Sequence, residues 1–206
     1  MENRVVLYVF VNRDRDTPLL YTVHNGDLEG CKLLMDNGAD CSVHNRADMT
    51  TTWAAAYCGH LDVLQYLIVH GNPPLSVPSR GLVFEHDGPH PPYIYVVAHT
   101  PLYVALIRKH FAIAELLLNA GVMMSEERWC WNSNSLSEMH PELPQPLYSR
   151  LTEAMSEAPS LQQIVHRFLR RHFGQRILMA VPLLEIPKSL KDYITFRGLE
   201  KCRGTQ

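Results

Sequence analysis

Residues 17–40 read TPLLYTVHNGDLEGCKLLMDNGAD. The stretch opens on Thr17-Pro18-Leu19, turns at Gly26, carries Leu33-Leu34 and closes on Gly38-Ala39-Asp40. The same order returns as Thr50, Gly59-His60, Tyr66-Leu67 and Gly71. Gly26 to Gly59 and Gly38 to Gly71 are both 33 residues apart, a period that marks stacked helix pairs. A third copy, Thr100-Pro101-Leu102 with Leu116-Leu117-Leu118 and Gly121, lies 50 residues beyond the second, so 17 extra residues separate them.

The residue types suit that reading. Thr17, Thr50 and Thr100 are placed to cap inner helices, and Pro18 and Pro101 take the first helical position, where no amide hydrogen is missed. Ala54, Ala55 and Ala56 keep one inner helix thin enough for close stacking. Gly26 and Gly59 allow the turn into outer helices that begin at Asp27-Leu28 and His60-Leu61, with Leu33, Leu34, Leu64 and Leu67 expected to face the core. Gly38, Gly71 and Gly121 are expected to end those helices in the left-handed conformation. One such pair cannot bury its own apolar face, so three stacked pairs are about the minimum for stability.

On these residues the chain resembles an ankyrin array. Before Thr17 there is too little chain for another full repeat; Val5 to Val11 reads as the remnant of one, or as a cap over the first repeat. The insertion, 72–99, holds six prolines and two glycines and cannot be helical throughout. In ankyrin arrays this position is a finger-like hairpin on the concave side. Two readings stand: a loop that contacts a substrate, with Phe84, Tyr93 and Tyr95 as candidates, or a linker without a task. Val83-Phe84 and Tyr93 to Val97 are apolar enough to pair as two strands. Trp129-Cys130-Trp131 is expected to pack over the last repeat or to form an aromatic binding site, 132–146 reads as a linker, and 147–157 as a helix with Leu147, Leu151 and Met155 on one stripe.

The C-terminal stretch 160–196 has its own logic. Ser160 and Gln163 form a capping box, Leu161, Ile164, Val165, Phe168 and Leu169 make one helical face, and Gly174 ends the helix. A run over 177–181 stops at Pro182, and Pro187 starts a last turn in which Leu190, Tyr193 and Ile194 share a face. A segment under about 40 residues does not bury enough surface alone, so these faces need a neighbour. The register Ser160, Leu161, Val165, Leu169 resembles the Elongin C-binding half of a SOCS box, with Val where Cys is usual, a mild change because a buried Cys acts as a small hydrophobe. Leu184, Glu185, Ile186, Pro187, Leu190 and Tyr193 resemble its cullin-selecting half, with Glu185 where that pattern has a proline. That change adds a charge and frees φ.

The whole chain sets bounds. Its 206 residues, 46% of them hydrophobic, suffice for a core. A net charge of −2 leaves no electrostatic footprint for nucleic acid. Five cysteines without paired metal spacing suit reduced thiols of a cytoplasmic or nuclear protein. No apolar run approaches the roughly 18 residues of a membrane span, and Arg-Asp-Arg-Asp after Val11 replaces a signal cleavage site. Neither His86-Asp87-Gly88-Pro89-His90 nor any cysteine pair has metal-ligand geometry, and no phosphate loop or nucleophile elbow is present, so no cofactor and no enzyme activity are expected. Arg167, Arg170, Arg171 and His172 read as a solvated helix face, or as a surface steering an acidic partner.

The expected fold is all-α, an ankyrin-repeat solenoid of about three repeats with one long inserted loop, followed by a small helical SOCS box. Its expected segments are a cap over 1–12, repeats over 13–126, a linker and connecting helix over 127–158, the box over 159–199 and a tail over 200–206. The resemblance to the ankyrin repeat and SOCS box family implies a non-catalytic substrate receptor of a cullin-RING ubiquitin ligase. It implies Elongin C and Elongin B as partners, through Leu161, Val165 and Leu169. It also implies a cullin of the cullin-five class with its RING protein, through Leu184, Ile186 and Pro187, a contact weakened by Glu185, and an unidentified target protein. The alternative is a plain ankyrin scaffold whose C-terminal helices only cap the array.

Overall fold

The structure is a computed structural model and describes residues 14–79, 99–122, 141–156 and 177–195, together with 82–83, 95–96, 164–165, 168–169 and 172. Three helix pairs stack in series: α1 (Pro18–Asn25) with α2 (Leu28–Asp36), α3 (Thr51–Cys58) with α4 (Leu61–His70), and α5 (Pro101–Ile107) with α6 (Phe111–Asn119). Between the second and third pairs stand β1 (Leu82–Val83) and β2 (Tyr95–Val96). After them come α7 (Gln145–Ser156), α8 (Ile177–Ala180), a 3-10 turn (Val181–Leu183) and α9 (Lys188–Ile194). The expected solenoid followed by a small helical unit is what is found.

The caps follow from the threonines. The hydroxyls of Thr17, Thr50 and Thr100 accept from the amides of Leu20, Trp53 and Tyr103 at 3.1, 3.2 and 3.2 Å, satisfying one orphan donor at each inner-helix start. Asp27 caps α2 through Gly30 N at 2.8 Å, whereas His60 leads into α4 without a side-chain cap. Inner helices α1, α3 and α5 pack in one row and outer helices α2, α4 and α6 in a second. The core runs between the rows, through Leu19 and Val23, Ala54 to Ala56, Leu64 and Leu67, then Leu102, Leu106 and Leu117. A row of alanines at the centre lets both neighbouring inner helices approach closely, which is why α3 is buried along most of its length.

Two expectations are corrected. Leu33 does not face the core: it is 65% exposed, while Leu34 packs against it. One period on, Tyr66 of α4 is half-buried, and one copy further Leu116 is buried. By the same register Leu33 points to the side where a preceding unit would stack, and among the described residues no element precedes α1. Tyr21 is exposed on the same α1–α2 pair, at a position where the later repeats bury Ala54 and Val104. Gly71 is not left-handed either; its φ is −109°, and Asn72 after it takes φ 53°. Glycine is required at 71 by space, because a Cβ there would stand 2.6 Å from Met35 Cε, 2.8 Å from Cys41 Sγ and 3.0 Å from the Leu67 carbonyl. Asn tolerates the left-handed region better than most residues.

The array's core does not stop at α6. Leu143, Leu147 and Leu151 are buried in it, with Met155 packed alongside, so the expected stripe of the connecting helix is the seam on the last repeat. The helix starts at Gln145, two residues before expectation, and Leu143 ahead of it is already seated. Arg150 forks to Glu115 Oε1 at 3.2 Å and Asn119 Oδ1 at 2.6 Å, and Lys109 pairs with Glu142 at 2.8 Å. These polar ties fix the rotation of α7 about its apolar stripe.

Candidate functional site

The C-terminal unit has a small core of its own. Val181 and Ile194 are each 2% exposed, and Leu169, Ile186, Leu190 and Tyr193 pack against them. Pro187, at φ −53°, accepts from Leu190 N and Lys191 N at 3.0 and 3.1 Å and so starts α9 without a side-chain cap. Lys191 Nζ reaches back to the Pro182 carbonyl at 2.9 Å, tying α9 to the 3-10 turn. Burial raises the Tyr193 hydroxyl above its ordinary pKa, so it stays neutral in this core.

Among the described residues, several large apolar side chains near that core stay at the surface. Val165 is 44% exposed, Phe168 64%, Met179 73% and Leu183 84%, with Ile164 and Leu184 also at the surface. Phe168 stacks on His172 one turn later, ring centroids 5.7 Å apart. Scattered apolar residues on a surface are ordinary, but six large ones fall within the few described residues of this one short unit.

The expected Elongin face divides. Leu161 lies outside the described residues, Val165 is at the surface, and Leu169, one turn on, dips into the box's own core. Of the expected cullin residues, Leu184 and Pro187 are exposed and Ile186 is half-buried against Val181 and Ile194. Glu185 stands exposed between them. Sequence reasoning missed Met179 and Leu183. The signal was available: both are large apolar residues beside Pro182, in a stretch too short to enclose them.

The insertion is anchored where it leaves the array. Ser79 and His99 exchange both backbone hydrogen bonds at 3.0 and 3.1 Å, Leu82 pairs with Val96, and Val83 pairs with Tyr95, all antiparallel and in one register. The expected pairing of two strands is therefore present at Val83 and Tyr95; Phe84 and Tyr93 lie outside the described residues. The base is fastened twice. The Trp53 indole donates to the His99 carbonyl at 3.0 Å, and the Ser79 hydroxyl donates to the Ala47 carbonyl at 3.0 Å. Ala47 belongs to a turn organised by Asn45, whose side-chain oxygen accepts from Ala47 N and Met49 N at 2.9 Å each and whose amide donates to Asp16. The hairpin base thus continues a row of tightly bonded turns.

Beside it, Trp53 stacks on Tyr57 with centroids 5.0 Å apart, and the Arg108 guanidinium sits 4.5 Å over the Tyr57 ring. Cys58 follows, its Sγ 3.3 Å from His24 Nδ1. Burial raises the Cys58 thiol, against a lowering by Arg108, and burial raises Cys31 as well. Both are held as thiols, the opposite of an activated nucleophile. Among the described residues no His, Cys, Asp and Glu side chains gather in a group that could hold a metal, and no helix is long and apolar enough to cross a membrane. The aromatic triplet 129–131, the 86–90 histidines and Arg167, Arg170 and Arg171 lie outside the described residues.

What the geometry shows is a repeat array carrying a fastened hairpin, joined by a capping helix to a unit with an apolar surface. Residues 5–77 match the family model of ankyrin repeats (3 copies), and residues 157–195 match that of the SOCS box. The chain is an ankyrin repeat and SOCS box protein. The third helix pair, 101–119, lies beyond the first match and joins the array by packing. Both matched modules act through protein–protein contacts. No curated protein matches the chain.

Proposed function

We propose that this chain is the substrate-recognition adaptor of an Elongin–cullin–SOCS-box ubiquitin ligase. The box docks on Elongin C and Elongin B through Leu161, Val165 and Leu169, and on a cullin of the cullin-five class with its RING protein through Leu184, Ile186 and Pro187. The array and its hairpin, with Phe84, Tyr93 and Tyr95 as candidate contacts, hold a target protein in the cytoplasm. The chain does no bond chemistry. Tethering raises the effective concentration of target lysines around the ubiquitin-charged E2.

The observation that carries this reading is the set of large apolar side chains, Ile164, Val165, Phe168, Met179, Leu183 and Leu184, that stay exposed among the described residues of the box. The scaffold alternative needs those helices as a lid on the last repeat. Yet α7 already fills that place, and among the described residues none beyond Met155 joins the array's core. Leu169 contributes by packing on the Val181–Ile194 core, while Ile164, Val165 and Phe168 stand outward.

The test is co-purification with Elongin B and Elongin C. Leu161→Ala is expected to lose the complex, since truncating a buried anchor typically costs 2 kcal/mol or more, roughly thirtyfold in affinity, while the array stays folded. Retained binding in that variant, or a wild-type chain that purifies alone, sinks the assignment.

A further inference from the structure

The chain carries 14 arginines and five lysines, although lysine is ordinarily one of the commonest residues. Before Lys188 there are two lysines, Lys32 and Lys109. Both are held by carboxylates: Lys32 by Glu29 at 2.6 Å and Lys109 by Glu142 at 2.8 Å. Elsewhere on the array positive charge is carried by arginine, including the exposed Arg46 and Arg108. We propose that the array is a lysine-sparing surface, one that holds a target near a ubiquitin-charged E2 while offering that E2 few amines of its own.

The inference rests on the adaptor reading, and the chemistry is that of the transfer step. A neutral lysine amine attacks the carbonyl carbon of the E2–ubiquitin thioester. The C–N bond forms, the C–S bond breaks, the E2 cysteine leaves as thiolate, and the proton lost from nitrogen passes to water. A guanidinium cannot take the lysine's place, because its nitrogen lone pairs are delocalised and it stays protonated. Arginine therefore keeps the surface charge and removes the acceptor. An ammonium engaged by a carboxylate must first leave that partner, which lowers its availability without abolishing it. A geometric demand for arginine accounts for Arg150, which forks to two acceptors, and in part for Arg108, which stacks on Tyr57. It does not account for Arg46. Any receptor in such a ligase lies within reach of the same E2 as its target, so proximity that accelerates target modification also accelerates self-modification unless acceptors are scarce.

The full chain is assembled with Elongin B, Elongin C, a cullin–RING pair, an E2 and ubiquitin, and ubiquitin remnants on its peptides are quantified by mass spectrometry. Free ubiquitin chains report that the ligase works. The double variant R46K/R108K doubles the array's lysines, so self-modification of the array is expected to rise at least about twofold, on the new sites. Glu142→Gln, which releases Lys109, is expected to raise modification there by about one and a half to fivefold. Heavy modification of wild-type Lys32 or Lys109, or new lysines that stay unmodified in a ligase that builds free chains, overturns the proposal. A chain that purifies without the Elongins refutes the adaptor reading itself and takes the proposal with it; gel filtration of the same sample identifies that outcome.

Discussion

Leu151→Ala tests what closes the array, and with it the choice between adaptor and scaffold. Leu151 is fully buried on α7, between the last repeat and the helix's own stripe of Leu147 and Met155. Truncating a leucine in such a place removes three carbons' worth of burial and leaves a cavity, at a cost of about 2–5 kcal/mol. The polar ties cost less to cut. Arg150 and Glu115 are 39% and 57% exposed, so Arg150→Ala loses at most about 1 kcal/mol to that pair. Apolar seating should therefore outweigh the salt bridge several-fold. Because repeat arrays are stabilised by nearest-neighbour contacts, the loss should show first as fraying at one end. The assay is hydrogen exchange of the full chain, read at α7 and at α1, beside thermal unfolding. Expected are a loss of most protection in 145–156, unchanged protection in 18–25, and a midpoint lower by roughly 2–4 °C for each kcal/mol. If Leu151→Ala costs no more than Arg150→Ala, α7 is not the cap. The box would then have to close the array, as the scaffold reading holds.

Thr52 stands where Leu19 and Leu102 stand in the other repeats, and its buried hydroxyl has no hydrogen-bond partner among the described residues. Thr52→Val keeps the shape and removes that group, so stability should rise by about 1 kcal/mol in urea unfolding; a loss would mean the hydroxyl is bonded. Trp53→Phe removes the indole bond to the His99 carbonyl. Exchange at the Ser79 and His99 amides should quicken about fivefold or more while the α1 amides hold, and equal rates would show that the indole does not brace the hairpin. Lys109 hydrogen-bonds Glu142 and holds its carboxyl below the ordinary 4.5. A depressed folded-state pKa stabilises above the unfolded value and is lost as pH falls through the folded one. The difference between wild type and Lys109→Met should therefore be present at pH 7 and shrink below about pH 4.5 in urea titrations; a constant difference would assign it to packing.

Local chemistry made most of the array legible in advance. Thr17, Thr50 and Thr100 cap their own helices within three residues, and the glycine spacing needs no distant contact to be seen. The same local reasoning failed at Leu33 and Gly71. A leucine at helical spacing states that it is apolar, and only the neighbour on its side decides whether it is covered. A glycine at a helix end suits both a left-handed turn and a close approach, and Met35 and Cys41, both more than 29 residues away, decide for the second.

The candidate site divides in the same way. The motif register alone placed Val165 and Leu169 on one face, and spacing alone announced two strands in the insertion. Only packing turned Leu169 inward onto Val181 and Ile194 while leaving Val165, Phe168 and Leu183 outward, because a helix buries whichever stripe meets a partner. Tertiary structure alone also revealed that Trp53 and Ser79 clamp the hairpin to the second repeat, and that α7 caps the third. Capping, turning and period act over a few residues and are written in the sequence. Exposure is set by elements dozens of residues apart, and no local pattern contains it.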